Sequence, residues 1–168
     1  MNCGGRTSSC NTGLDPPARR WSNQPAIAGK MISMESRLQA PGFHPFGDLI
    51  GLAFTRVEPG FSQCRLKVED RLLNPHRSLH GGVLYSMADT GMGGALSPLL
   101  EAGETCFTVE IKIAYFRAVS AGDLTCDSRV VHKGKNLATL ESEIFLKDAL
   151  VAKALGTFSV VSQGTRSR

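Results

Sequence analysis

The apolar and polar positions along the chain predict strands on both sides of one long apolar segment. Residues 49–54 and 61–68 are strand-like runs, and Glu58-Pro59-Gly60 between them is a turn signal, which predicts a β-hairpin. Alternation is clearest in the second run. Residues 81–100 then form a segment that is apolar on nearly all sides of a helix, which is typical of a helix enclosed in a core.

Four more strand-like runs follow the helical segment, at residues 105–116, 124–132, 137–146 and 151–161. In the first of them, Val109, Ile111, Ile113 and Tyr115 alternate with other residues and are predicted to share one face. Connections between successive strands are short, which favours antiparallel pairing. The sequence thus predicts an α+β fold, with an antiparallel sheet of about six strands wrapped around one long central helix, in a single domain at residues 43–161.

The two ends of the chain differ in composition from this domain. Residues 1–37 are rich in Gly, Ser, Asn and Pro without hydrophobic periodicity, so we predict a disordered tail there. Residues 162–168 are predicted to be a short C-terminal tail. The net charge is +4, but residues 1–37 alone carry five Lys/Arg against two Asp/Glu. The predicted domain is nearly balanced in charge, so we expect no basic face that binds nucleic acid.

Cysteine usage and hydropathy bear on the compartment. The five cysteines are dispersed and form no Cys-x-x-Cys motif, which suits a reducing cytoplasm better than a disulfide scaffold. The N-terminal residues show no apolar run of the kind found in secretory signals. Residues 81–100 are long enough to cross a membrane, but they contain Asp89 and several glycines, so a buried helix is the better interpretation. We therefore predict a cytoplasmic protein without a membrane partner.

The candidate chemistry lies in and just before the central helix. Gly81 and Gly82 stand where the helix begins, and its unpaired N–H groups and partial positive charge suit a substrate oxygen. Gly82 N–H is the predicted oxyanion donor. Asp89, a carboxylate inside an apolar helix, is the predicted base. About 10 Å of helix axis separate Gly82 from Asp89, so both reach one carbonyl only if two copies of the chain pair antiparallel helices.

Two further candidates bracket the loop that enters the helix. Asn74 either orients a water or carbonyl or makes a turn before Pro75, and local sequence does not choose between these roles. His80 is better interpreted as holding the loop backbone around the glycines than as a base. His76 and His80 are four residues apart, but Pro75 and the lack of a nearby third ligand argue against zinc.

These residues together resemble the signature of the hotdog-fold acyl-CoA thioesterases, in the phenylacetate-pathway (PaaI-like) branch. The resemblance rests on Asn74, His80-Gly81-Gly82 and Ala88-Asp89, with six residues from Asn to His and nine from His to Asp. It extends over the predicted domain and includes residues 115–118 and 154–158.

The resemblance implies hydrolysis of an acyl-CoA thioester without a cofactor. Gly82 N–H would polarise the thioester carbonyl, and Asp89 of the partner subunit would act as general base or as nucleophile. Asn74 would help to place the water or the carbonyl, and His80 would support the loop. Thr108 falls where related enzymes carry a Ser or Thr that holds the water, although strict alternation places Thr108 on the opposite face, with Glu110 and Lys112.

The remaining expectations concern substrate and assembly. Arg117, Lys133 and Lys135 are candidate cations for the CoA phosphates, and a homodimer or homotetramer is expected. The chain departs from the family at Arg117-Ala118, where a proline-containing turn is more usual, so the acyl preference, aromatic or medium-chain, stays open.

Two alternatives to hydrolysis remain. The hotdog hydratases and dehydratases act on enoyl thioesters, but their His-Phe-Pro-Gly loop is absent from this sequence. An acyl-CoA-binding module without catalysis is the other alternative, and the presence of Asp89 together with Asn74 counts against it.

Overall fold

The computed structural model of the chain describes residues 42–162. The predicted tail at residues 1–37 and residues 163–168 of the predicted C-terminal tail lie outside this range. The described elements are, in order, helix α1 (Pro45–Ile50), strands β1 (Leu52–Glu58) and β2 (Phe61–Lys67), a 3-10 turn (Asp70–Leu72), helix α2 (Gly81–Leu96), a 3-10 turn (Ser97–Leu99), and strands β3 (Glu104–Tyr115), β4 (Asp123–Lys133), β5 (Leu137–Leu146) and β6 (Ala149–Ser162).

The six strands form one antiparallel sheet in the order β1-β2-β4-β5-β6-β3, which confirms the predicted fold class. One expectation was wrong, because β3 does not pair with β4, the strand that follows it. The connection between β3 and β4 contacts the loop before α2 instead. Val119 of this connection is buried, and its carbonyl accepts a hydrogen bond from the N–H of Leu79. β3 therefore pairs with β6 and lies at the edge of the sheet.

Two helix boundaries also differ from the prediction. Residues 49 and 50 belong to α1 rather than to a strand, since Pro45 favours the first turn of a helix and Gly51, at φ 76°, ends it in the left-handed region. α2 ends at Leu96 instead of near Leu100. Pro98 stands two residues beyond this end, within the 3-10 turn, where it lacks the N–H that a continuing α-helix would use.

The core forms where α2 packs on one face of the sheet. Met87, Met92 and Leu96 of α2 are fully buried, as are Leu124 of β4 and Leu140 of β5. The helix is also held closely, because a Cβ at Gly91 would lie 2.3 Å from Ser128 Oγ and a Cβ at Gly94 would lie 2.4 Å from Phe54 Cε1. These two glycines thus allow the close approach of helix and sheet.

Within one chain, the sheet leaves one side of α2 uncovered. One stripe of the helix remains open: Gly82 and Tyr85 are exposed, and Asp89 and Gly93 are only partly buried. We call these four residues the open stripe. α2 has 16 residues, and within residues 42–162 no helix is long and apolar enough to span a membrane.

Candidate active site

Asp89 lies in the middle of α2 at the edge of a cleft. Its Oδ1 accepts a hydrogen bond of 2.7 Å from the hydroxyl of Thr108 on β3. The cleft has a volume of about 560 Å³ and is lined by both residues and by apolar side chains that include Phe54, Leu100 and Phe158. A carboxylate with one oxygen held by a hydroxyl and a cleft beside it is suited to activating a water or attacking a carbonyl.

A β-bulge brings Thr108 to Asp89, and strict alternation had predicted the opposite face. The register between β3 and β6 shifts between Thr108 and Glu110, so that Val109 is the extra residue. Val109 is 58% exposed. Thr108 is also exposed in the single chain, but it lies opposite the buried Phe158 and its hydroxyl reaches Asp89. The expectation that Val109 shares a face with Ile111 and Ile113 was therefore wrong, since one inserted residue inverts the facing of everything before it.

Cys106 also lines the Asp89 cleft, two residues before Thr108. Burial, and then the nearby Asp89 carboxylate, raise the pKa of the Cys106 thiol. The thiol therefore stays protonated near neutral pH and is a poor nucleophile. Sequence reasoning missed this neighbour of Asp89, although its two-residue spacing from Thr108 on one strand was a usable signal.

The N-terminus of α2 is arranged differently from the prediction. His80 is the N-cap residue, and its Nδ1 accepts a hydrogen bond of 2.9 Å from the N–H of Gly82. The predicted oxyanion donor is therefore occupied by the imidazole, whose neutral form then carries its proton on Nε2. Among the described residues, the N–H of Gly81 has no acceptor.

Tyr115, at the end of β3, closes over the start of α2. Its hydroxyl donates a hydrogen bond of 3.1 Å to the carbonyl of Gly81, and a Cβ at Gly81 would lie 3.3 Å from its ring. Burial, followed by the nearby Tyr85, raises the pKa of Tyr115, so its hydroxyl remains a donor at neutral pH. No local sequence pattern predicts Tyr115 at the glycines, because that contact spans 34 positions of the chain.

Asn74 organises the loop that leads to His80. Its Oδ1 accepts hydrogen bonds from the N–H groups of His76 and Ser78, at 2.9 and 3.3 Å, and its Nδ2 donates to Ser78 Oγ at 2.9 Å. Both ends of the amide are therefore engaged within the loop. Of the two roles that the sequence left open, the structure favours the turn.

The two halves of the predicted site lie in separate clefts. Gly81 borders a second cleft of about 320 Å³ with Tyr115 and Arg117, whereas Asp89 belongs to the larger cleft described above. The eight residues from Gly81 to Asp89 correspond to about 12 Å along the helix axis. One chain therefore does not bring the free amide and the carboxylate to the same atom.

The three predicted cations are spread over the molecule. Arg117 borders the Gly81 cleft, and Lys133 Nζ lies 3.9 Å from Glu104, which lines the Asp89 cleft. Lys135 lies in the turn between β4 and β5 and lines neither of these clefts. In the described part of the chain, no three His, Cys, Asp or Glu side chains are grouped to hold a metal ion.

Comparison with known proteins gives the class to which this fold and site belong. Residues 76–153 match the model of the thioesterase superfamily. A candidate esterase of Saccharolobus solfataricus is 31% identical over 114 residues, which are 67% of this chain and 75% of that protein. The acyl-coenzyme A thioesterase PaaI of Escherichia coli is 32% identical over 96 residues, which are 56% of this chain and 66% of PaaI.

Solved structures show the same fold. A thioesterase of Haemophilus influenzae superposes with a TM-score of 0.73 at 22% identity, over 83% of this chain and 97% of that one. The structure of Escherichia coli PaaI gives a TM-score of 0.64 at 28% identity, over 70% and 84%. The chain is therefore a hotdog-fold member of the thioesterase superfamily, a group of thioester hydrolases. Within that superfamily it belongs to the PaaI-like proteins.

Proposed function

We propose that the protein hydrolyses acyl-CoA thioesters, with Asp89 as the general base or nucleophile. The observation that carries this proposal is the Asp89 carboxylate at the edge of a cleft, with Oδ1 held by Thr108 at 2.7 Å. Among the described residues nothing binds Oδ2, which leaves that oxygen available to a water or a thioester carbon. Thr108 then fixes the orientation of the carboxylate, and the similarity to an acyl-coenzyme A thioesterase supports CoA as the thiol.

The N-terminus of α2 supplies the polarising N–H in this proposal. Gly82 N–H was the oxyanion donor expected from the sequence, but it donates its hydrogen bond to His80 Nδ1. Gly82 N–H would therefore be available to a substrate only after this hydrogen bond breaks. Gly81 N–H has no acceptor within residues 42–162 and lies at the positive end of the same helix, so we assign the oxyanion role to Gly81. His80 and Asn74 become residues that position the loop.

A complete site then needs two copies of the chain. The Gly81 amide and the Asp89 carboxylate are about 12 Å apart along one helix. If two copies pair their α2 helices antiparallel about a two-fold axis, the Gly81 amide of one copy lies beside the Asp89 carboxylate of the other. Two features support such a homodimer: the open stripe of α2, and the outer edge of β3, which pairs with no described strand. A homotetramer would be a pair of these dimers.

The same antiparallel arrangement combines the proposed CoA cations. Arg117 lies at the Gly81 cleft and Lys133 lies near the Asp89 cleft, so one copy's Arg117 and the other copy's Lys133 would meet at one composite site. Lys135, in the exposed turn beyond Lys133, would add a third positive charge at the mouth. Ion pairing with phosphate would make binding weaken as salt rises.

The first test replaces the carboxylate. Asp89→Asn keeps the shape of the side chain but removes its basicity, so we expect kcat to fall roughly 10²–10⁴-fold. The measurement is release of free CoA from a panel of aromatic and medium-chain acyl-CoA esters, with Asp148→Asn, at an exposed turn, as the matched control. If the wild type binds these esters but releases no CoA, the proposed hydrolysis is wrong and the protein is an acyl-CoA-binding module without catalysis.

A second test identifies the polarising amide. Gly81→Pro removes the free N–H at the first helical position, where proline is tolerated, and His80 before it has a compatible extended conformation at φ −63° and ψ 131°. We expect kcat to fall roughly 10²–10³-fold. Gly81→Ala places a similar Cβ against Tyr115 but keeps the N–H, so it should lose much less. If Gly82→Pro inactivates the enzyme and Gly81→Pro does not, the oxyanion donor is Gly82 N–H instead.

A further inference from the structure

Three glycines lie close together in the second half of α2, and only two of them are explained by packing. Glycine inside a helix costs backbone entropy, so each one needs a compensating reason. An added Cβ would meet Ser128 at Gly91 and Phe54 at Gly94. An added Cβ at Gly93 would meet nothing within 4 Å. No contact among the described residues therefore requires a glycine at position 93.

The position of Gly93 relates it to the chemistry. It follows Asp89 by four residues, which places it about 6 Å further along the axis on the same face of the helix. Gly93 lines the Asp89 cleft, together with the apolar side chains of Phe54, Leu100 and Phe158. The absence of a side chain at Gly93 thus leaves space inside the cleft. If a thioester carbonyl lies at Asp89, this space is next to the first few atoms of the acyl group.

The far end of this cleft indicates which part of an acyl-CoA enters it. From Asp89 the cleft extends along α2 and beyond the end of the helix to Leu100, and its lining there includes Glu101 and Glu104. Inside the cleft these two carboxylates disfavour the anionic phosphates of CoA, and Lys133, which does not line the cleft, would meet those phosphates outside it. The acyl group, with its apolar surface, matches the walls of the cleft better.

We propose that Gly93 determines acyl specificity, by keeping the wall beside Asp89 open for an acyl group that carries a ring or branch near its carbonyl. This inference rests on the proposed hydrolysis of acyl-CoA thioesters. A Cβ at position 93 would narrow the cleft without meeting any described residue of its own chain within 4 Å. Small, linear acyl groups would still fit beside it.

The test compares two substrates on the full-length chain. Gly93→Ala and Gly93→Val are assayed for release of CoA from acetyl-CoA and benzoyl-CoA. We expect kcat/KM for benzoyl-CoA to fall at least about tenfold more than kcat/KM for acetyl-CoA in Gly93→Val, with Gly93→Ala intermediate. The Tm of Gly93→Ala should stay unchanged or rise by about 3 °C, because alanine favours the helix and meets no neighbour.

Gly94→Ala is the matched control, one residue away in the same helix. Its Cβ would meet the Phe54 ring, so Tm should fall rather than rise. The oligomeric mass of every variant is measured by light scattering. An equal loss on both substrates with the oligomer intact, or dissociation of the oligomer in Gly93→Ala, would overturn the proposal, and dissociation would assign the glycine to the subunit contact.

A binding measurement separates this inference from the proposed hydrolysis. The probes are non-hydrolysable thioether analogues, S-ethyl-CoA and S-benzyl-CoA, titrated by calorimetry. If the wild type releases no CoA from any ester but Gly93→Val weakens binding of S-benzyl-CoA alone, the hydrolase fails and the role of Gly93 stands. Equal binding of both analogues by wild type and Gly93→Val would overturn the role of Gly93 whatever the activity.

Discussion

At the scale of single residues, the site depends on one hydrogen bond between elements that are remote in sequence. Thr108 donates to Asp89 across 19 positions at 2.7 Å. A hydrogen bond to a charged group is worth about 1.5–3 kcal/mol, roughly twice one between neutral groups. The bond fixes which carboxylate oxygen faces the cleft, so its loss should affect turnover more than folding.

Thr108→Val tests this contact with almost no change in shape. It replaces the hydroxyl by a methyl group and leaves Asp89 Oδ1 without its partner, so kcat should fall roughly 10–100-fold, which corresponds to about 1.4–2.7 kcal/mol. Steady-state kinetics with the best acyl-CoA of the panel measure the effect, and Thr108→Ser, which keeps the hydroxyl, is the control. Unchanged kcat in Thr108→Val would remove Thr108 from the site.

At the scale of elements, small residues determine how closely α2 packs against the sheet. The hydroxyls of Ser128 and Ser142 are 2.7 Å apart beneath the helix, and Ser142 donates to the carbonyl of Ala88 at 3.3 Å. Both serines are fully buried. Since Ala88 precedes Asp89, this contact fixes the depth of the helix next to the proposed base.

Gly91→Ala tests the close approach at this contact. The new methyl group would lie 2.3 Å from Ser128 Oγ, so we expect a destabilisation of about 1–3 kcal/mol, measured by urea unfolding at fixed protein concentration. Ser128→Ala removes the colliding oxygen. The double variant Gly91→Ala, Ser128→Ala should therefore be more stable than the sum of the two single changes, and simple additivity would contradict this packing.

The elements also show how far the sequence could predict the fold. Hydrophobic alternation and turn signals located all six strands, and β5 was placed at its observed bounds, residues 137–146. The bulge at Val109 was beyond reach, because an extra residue in one strand is visible only against its partner strand. The pairing of β3 with β6 was missed for a similar reason, as it depends on contacts of Val119 with the loop before α2.

At the scale of the whole molecule, the proposed site is shared, and this sharing is testable by mixing. Asp89→Asn and Gly81→Pro damage opposite halves of the site and should each be inactive. If both are unfolded, mixed 1:1 and refolded, half of the dimers are mixed and each of these has one intact site, so about 25% of wild-type activity should return.

Mixing wild type with an equal amount of Asp89→Asn, and then refolding, gives the reference for this experiment. At equal total protein concentration it should show about 50% of wild-type activity, because half of its chains carry Asp89 and each active site depends on one Asp89. No recovery from the two inactive variants, with mixed dimers demonstrated by mass spectrometry, would mean that each chain contains a complete site.

The sequence by itself determined the fold class, the order of the elements and the candidates of the site, because these follow from local periodicity, turn residues and the spacing of Asn74, His80 and Asp89. Only the tertiary structure decided which groups are free and which are engaged. In the structure, Gly82 N–H donates to His80, Gly81 N–H has no acceptor among the described residues, and the bulge in β3 brings the Thr108 hydroxyl to Asp89. The strand register and the Thr108–Asp89 bond depend on contacts between distant residues, which a linear pattern does not record. The His80–Gly82 bond is local, and it depends on the N-cap conformation of His80, which residue types alone do not specify.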